Sequence, residues 1–171
     1  MGSLKKACPN ARWVHPESMH ITLKFIGHVP DEKREAIEQA LLRIVAAEPV
    51  DIAFRGLGFF PNERRPKVLW CGVQASPNLA ALAADIENAL EPAGVERESR
   101  AYVPHLTLAR IDQEKAGRTG VEKLVKACLE LGATDFGSAH ATEFYLYESV
   151  LKRSGAEYTK LRTFPFVKGI A

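Results

Sequence analysis

Residues 19–26 read MHITLKFI and residues 105–111 read HLTLARI. Each alternates polar and apolar side chains, the signature of a half-buried β-strand. In the first, His20, Thr22 and Lys24 fall on one face and Ile21, Leu23 and Phe25 on the other. The two stretches also match each other, His-Ile-Thr-Leu against His-Leu-Thr-Leu, about half a chain apart. One H-x-T on a strand is an ordinary structural feature. Two matched copies point to one shared site and to two similar lobes facing each other across a cleft.

The flanking sequence fixes the fold class. Gly27 to Pro30 breaks the first segment, and Asp31 is placed to cap a helix whose apolar stripe is Ile37, Leu41, Leu42 and Val45. Residues 50–60 read as a second strand, in which Gly56 and Gly58 suggest a bend or bulge. A polar loop (61–66) leads to a third strand (67–74). Ser76-Pro77 opens a helix reaching about Leu90, with Leu79, Leu82 and Ile86 on one side. After the 105–111 strand come a helix over roughly 120–131, a long strand over about 139–151, a turn at Ser154-Gly155 and a last extended segment ending near Val167. The short turn after Phe60 favours hairpins, so the expected class is α+β with antiparallel sheets.

Composition sets the class of function. The chain has 171 residues, 46% hydrophobic and 26% charged, with 23 basic and 21 acidic residues. A net charge of +2 gives no bulk field for wrapping duplex nucleic acid, but leaves room for an anion in a local site. No apolar run is long enough to span a bilayer, and the opening residues lack the apolar core of a secretory signal. Cys8, Cys71 and Cys128 are odd in number and widely spaced. They read as reduced thiols and the chain as cytoplasmic.

The chemistry follows from the motifs. Residues i and i+2 of a strand share a face, so each motif presents an imidazole beside a hydroxyl. The set holds no carboxylate and no evident metal ligands, so no cofactor is expected. Imidazole is the side chain that titrates near neutrality, so one ring can act as base and the other as acid. The hydroxyls can donate to phosphoryl oxygens as charge develops. This inventory suits metal-free phosphodiester hydrolysis, especially of a strained cyclic phosphate. Among the other histidines, His15 and His28 read as surface residues and His140 as a strand-opening residue. A zinc site from His15, His20 and His105 lacks an acidic partner. Trp13 and Trp70 read as packing residues. Phe59, Phe60 and Tyr102 are read as bordering the cleft, with Tyr102 the preferred base-stacking candidate. The Arg64-Arg65-Pro66-Lys67 loop reads as solvated, with RNA backbone contact as the alternative.

Beyond these motifs the sequence resembles the 2H phosphoesterase superfamily, and within it the RNA 2′,3′-cyclic phosphodiesterase (2′-5′ RNA ligase-like) family. The likeness runs through Ala11-Arg12-Trp13-Val14 and Pro16-Glu17, Gly56 to Pro61, Lys67 to Trp70, the Pro104-HLTLAR motif, Tyr147 to Leu151, and Tyr158 to Phe166. It implies a single bilobal, pseudo-twofold domain over residues 1–171, with antiparallel sheets around a central cleft and helices outside. It further implies hydrolysis of RNA 2′,3′-cyclic ends, or nucleoside 2′,3′-cyclic phosphates, to 2′-phosphomonoesters, with reversible 2′-5′ ligation in some members. His20 is then the proton donor to O3′ and His105 the base acting on water. Thr22 and Thr107 hold phosphoryl oxygens, and Arg110 lies near the phosphate or nucleotide. The alternatives are a phosphodiesterase acting on small cyclic nucleotides or on ADP-ribose cyclic phosphate, and a non-catalytic nucleotide-binding module. Members usually carry a strand and helix ahead of the lead-in, of which Leu4-Lys5-Lys6 resembles the tail. An uncovered sheet edge there would favour dimerisation or strand swapping.

Overall fold

A computed structural model describes residues 2–44, 48–152 and 155–166. In chain order the elements are α1 (Gly2–Ala7), β1 (Arg12–Trp13), α2 (Arg34–Leu42), β2 (Val50–Phe60), β3 (Val68–Ala75), α3 (Pro77–Leu90), β4 (His105–Arg110), α4 (Gln113–Ala116), α5 (Arg118–Leu131), β5 (Asp135–Ala141), β6 (Glu143–Lys152) and β7 (Gly155–Pro165). Five strands form one sheet in the order β1-β4-β3-β2-β5, and β6 and β7 form a second. β4 is antiparallel to both β1 and β3, and β6 to β7. The architecture is α+β, as the hairpin spacing predicts.

Two units share the chain, each discontinuous. The first holds Met1–Thr22, Ala53–Gln74 and Pro104–Ser138; the second holds Leu23–Ile52, Ala75–Val103 and Ala139–Ala171. The first unit buries Leu4, Cys8, Phe59, Leu69, Cys71, Leu108, Ala109, Leu124 and Cys128 in one core. All three thiols lie there unpaired. Burial raises each thiol pKa, that of Cys128 to about 11 with help from the Glu63 charge. Short α1, containing Leu4-Lys5-Lys6, packs on α5. The second unit has its own core of Ile37, Leu41, Leu82, Ile86, Leu90, Phe144, Leu146 and Phe164, in which Phe144 stacks on Phe164 at 4.7 Å. Among the described residues, no helix is long and apolar enough to cross a membrane.

Several local expectations change. Residues 19–26 do not make a regular strand; Ile21 alone forms a bridge, to Leu106. The alternation holds through Leu23, where the chain bends, and then inverts. Lys24 turns inward with its side chain 5% exposed, and Phe25 turns out at 77%. The cause is a complete set of acceptors: the Lys24 ammonium meets both Glu87 carboxylate oxygens, at 2.8 and 2.9 Å, and the Glu96 carbonyl at 2.6 Å. Asp31 does not cap α2. It opens a 3-10 turn, Asp31–Lys33, after Pro30, and its side chain makes no capping bond. Ile37 and Leu41 are buried as expected, whereas Leu42 is exposed. Val45, Ser154 and Val167 lie outside the described residues.

The long strand expected over 139–151 is two strands, β5 in the five-stranded sheet and β6 in the ribbon, separated at Thr142, whose carbonyl accepts from the Phe166 amide. The apolar periodicity gives no sign of the short α4. Its signal is instead Asp112, whose side chain accepts from the Glu114 and Lys115 amides as an N-cap.

The glycines of β2 do two different jobs. Gly56 takes φ of +70° and donates its amide to the Thr134 carbonyl. Gly58 instead clears space for Trp70: a Cβ there would sit 2.2 Å from the indole. Two consequences can be measured. Gly58→Ala must push Trp70 aside and should cost about 1–3 kcal/mol in a denaturant titration. Lys24→Met leaves the Glu87 carboxylate, 18% exposed, without its cation and should cost about 3–5 kcal/mol. The double change Lys24→Met, Glu87→Met should recover most of that loss. Equal destabilisation in single and double variants would show that the ion pair is not the source.

Candidate active site

The first unit contains both H-x-T motifs. They meet as neighbours within it, rather than one in each unit. The antiparallel Ile21–Leu106 bridge sets the register. Continued one residue each way, it brings Thr22 opposite His105 and His20 opposite Thr107. Directly opposite residues share a face, so all four polar side chains fall on the side away from Leu106. His20 and His105 then form a diagonal pair, roughly 7–8 Å apart. Leu106 and Met19 pack toward the buried core beneath.

Strict alternation along HLTLAR would put Arg110 on the core side, with Leu106 and Leu108. It does not end there. β3 pairs Cys71 with Leu106 and Trp70 with Thr107, then Leu69 with Ala109 and Val68 with Arg110. Leu108 is therefore a surplus residue on β4, a β-bulge, and both Leu108 and Ala109 are buried. The bulge shifts the phase by one, so Arg110 returns to the face of His105 and Thr107. Arg12 of β1 pairs directly with Arg110 and so occupies that face too. Both arginines are exposed.

Each imidazole has a distinct setting. His20 is exposed, and its Nδ1 lies 2.8 Å from the Ser18 carbonyl. A carbonyl only accepts, so Nδ1 carries the proton and donates it. The 3-10 turn Pro16–Ser18 supplies that carbonyl; its amide bonds Ser18 N to His15 O and Met19 N to Pro16 O hold it closed. His105 is half-buried and meets the edge of the Phe60 ring at 4.9 Å, with Trp70 at 6.5 Å. Phe60 and Trp70 contact each other at 5.2 Å.

Gly72, opposite His105, leaves the neighbouring strand bare at that position, and a Cβ there would strike the Arg55 carbonyl at 2.4 Å. Phe60 and Trp70 thus supply the aromatic surface beside His105. Sequence alone places Trp70 in packing, and its role at this face depends on Gly58, which is far from the motif. Phe59 goes to the core. Tyr102, expected as the stacking residue, lies in the second unit. Its hydroxyl is buried without a hydrogen-bond partner among the described residues, and burial pushes its pKa up to about 12.

Among the described residues no hydrogen-bond partner engages the Thr22 or Thr107 hydroxyl, and no three His, Cys, Asp or Glu side chains gather as a metal ligand set. His140 is occupied elsewhere, with Nδ1 2.7 Å from Asp51 in the second unit. The arrangement therefore offers two imidazoles, two hydroxyls and two guanidiniums on one face. It suits proton transfer at an anionic centre.

Comparison with known proteins agrees. Residues 5–150 match the family model described as the 2′-5′ RNA ligase superfamily. An RNA 2′,3′-cyclic phosphodiesterase of Methanothermobacter thermautotrophicus is 34% identical over 163 residues, covering 95% of this chain and 86% of that protein. One from Aeropyrum pernix is 36% identical over 149 residues, covering 86% and 82%. Among solved structures, a Thermus thermophilus protein superposes with a TM-score of 0.74 at 26% identity, covering 96% of this chain and 90% of its own. Escherichia coli LigT complexed with 3′-AMP gives 0.72 at 25%, covering 93% and 83%. The architecture is that of the 2H phosphoesterases, and the chain belongs to the 2′-5′ RNA ligase superfamily.

Proposed function

We propose that this protein hydrolyses RNA 2′,3′-cyclic phosphate ends to 2′-phosphomonoesters, with His20 and His105 as the acid–base pair. The observation that carries the reading is the register joining the two motifs, which sets both imidazoles and both threonine hydroxyls on one face. The names and coverage of the relatives supply the substrate class.

In this reading the cyclic phosphate lies between the rings. His105 takes a proton from water as the water oxygen bonds to phosphorus. The bond from phosphorus to O3′ breaks on the far side, and His20 delivers the proton that O3′ requires. One proton is taken and one given, so the two rings end in exchanged protonation states and reset through solvent. The carbonyl of Ser18 supports His20 in the donor role: it holds the Nδ1 proton and orients Nε2, the atom that carries the transferable one. Thr22 and Thr107 donate to the non-bridging oxygens, where negative charge grows. A ribose 5′-hydroxyl attacking in place of water would break the same bond to O3′ and leave a 2′-5′ phosphodiester. That is the route to ligation, and its reversal uses the same two rings with their roles exchanged.

The test is incubation with an oligonucleotide ending in a 2′,3′-cyclic phosphate, followed by mapping of the product's phosphate. A 2′-phosphate is expected, and a 3′-phosphate would remove His20 from O3′. Each of His20→Ala and His105→Ala should lower kcat by roughly 10²–10⁴-fold. Thr22→Val or Thr107→Val should lower it by about 10²-fold or more. The pH profile of the wild type should be bell-shaped, each single histidine variant losing one limb. Turnover should survive EDTA; loss on chelation with recovery on adding zinc would refute the two-histidine mechanism.

A further inference from the structure

The first unit holds a cavity of about 650 Å³ that attack by water at a cyclic phosphate does not use. Gly58, Trp70 and the turn from Asn62 to Arg64 line it. Its size is that of pockets that take small organic ligands. Its place follows from the strand order. The segment carrying His20 meets β4 on one edge, through the Ile21–Leu106 bridge, and β3 and then β2 follow on the other. Trp70 pairs with Thr107 and so shares its face, and its indole lies over Gly58 of β2. Across the sheet the order is therefore His20, His105, Trp70 and the cavity. Gly58 stands two strands, roughly 10 Å, from β4. Trp70, 6.5 Å from the His105 ring, belongs both to the surroundings of that histidine and to the cavity wall.

In-line displacement decides what can use this space. In the reading above, the bond from phosphorus to O3′ breaks on the His20 side, so the attacking oxygen arrives on the His105 side. When the attacker is a ribose 5′-hydroxyl, its proton passes to His105 as O5′ bonds to phosphorus, and O3′ leaves with the proton from His20. The attacking nucleoside then extends away from phosphorus, past His105 and over Trp70. We infer that the cavity is the acceptor subsite for 2′-5′ ligation, holding the nucleoside of an RNA end with a free 5′-hydroxyl. The inference rests on the cyclic-phosphate reading and gives it a second substrate. The indole offers a stacking face that any base can use. Exposed Glu63 and Arg64 stand side by side on the rim, and the Asn62 side-chain oxygen accepts from the Arg64 and Arg65 amides, which holds the turn. A rim of mixed charge suits the donors and acceptors of a base edge, and the Glu63 carboxylate opposes a phosphate.

The product ratio tests this. The protein is given an oligonucleotide ending in a 2′,3′-cyclic phosphate and rising concentrations of a 5′-hydroxyl dinucleotide. The ratio of 2′-5′ ligated to hydrolysed product should rise and then saturate. At equal acceptor concentration Trp70→Leu should lower the ratio by about tenfold or more, and Trp70→Phe should retain most of it. Both products come from one pool of enzyme and donor, so a loss of folding or of acid–base function cancels. Hydrolysis with no ligated product, a ratio that climbs without saturating, or an equal ratio in Trp70→Leu would overturn the subsite.

Binding keeps this result independent of turnover. The four ribonucleosides and their 5′-monophosphates are titrated against indole fluorescence in a Trp13→Phe background, which leaves Trp70 the sole tryptophan. At least one nucleoside should quench it saturably and bind more tightly than its own 5′-monophosphate. That preference should shrink in Glu63→Gln. Equal affinity for the two, or no saturable quenching by any nucleoside, would overturn the subsite whatever the turnover. The expected quenching in a protein that turns over no cyclic phosphate would refute the hydrolytic reading and leave the nucleoside site standing.

Discussion

Strand β4 has to satisfy two solvents at once. Its apolar residues must close the core of the first unit, and its polar residues must reach the face where chemistry is possible. Six residues in plain alternation cannot do this for the sequence HLTLAR, because Arg110 would share a side with Leu106 and Leu108. The surplus residue at Leu108 resolves the conflict. Two consecutive side chains, Leu108 and Ala109, go into the core, and the phase beyond them is reversed. The same strand pairs with β3 on one side and with β1 and Ile21 on the other. Arg110, and with it Arg12, consequently shares the face of the histidines and threonines because of one local break in a ladder.

The floor of the site is built by a second constraint, the absence of side chains. Trp70 lies against Gly58, and Gly72 brings its strand close to the Arg55 carbonyl. Phe60 and Trp70 then touch each other and flank His105. Edge contact with the Phe60 ring restrains the His105 imidazole. At His20 a backbone carbonyl, that of Ser18, accepts from Nδ1.

The sequence makes the motif pair, the α+β class and the long elements readable because these are local or repeated patterns. β2 runs from Val50 to Phe60 and α3 ends at Leu90, both as the apolar periodicity indicates. What the pattern misses depends on tertiary partners. Lys24 has the right spacing to join His20 and Thr22, yet three acceptors draw it inward and turn Phe25 out. No period within 19–26 contains that information, since Glu87 and Glu96 are remote in sequence. Trp70 illustrates the same limit: only the register of β2 and β3 reveals that Gly58 lies beneath it. Asp112 is a different case, since its capping of α4 is a local signal that periodicity passes over. Arg12 carries no local signal at all, and its place beside Arg110 emerges only from strand pairing.

The division into units adds a last step. The chain passes from the first unit to the second between Thr22 and Leu23, and returns between Val103 and Pro104. Each H-x-T motif therefore borders a crossing, one just before it and one just after. Beyond the first crossing, the chain is secured within two residues by the buried Lys24–Glu87 pair. The Glu87 carboxylate also accepts from the Glu98 amide, in the segment that leads toward the second crossing. The segments adjoining both motifs are thus tied to the same carboxylate inside the second unit. Buried ion pairs contribute little net stability over well-packed apolar residues, but they tolerate few alternative geometries.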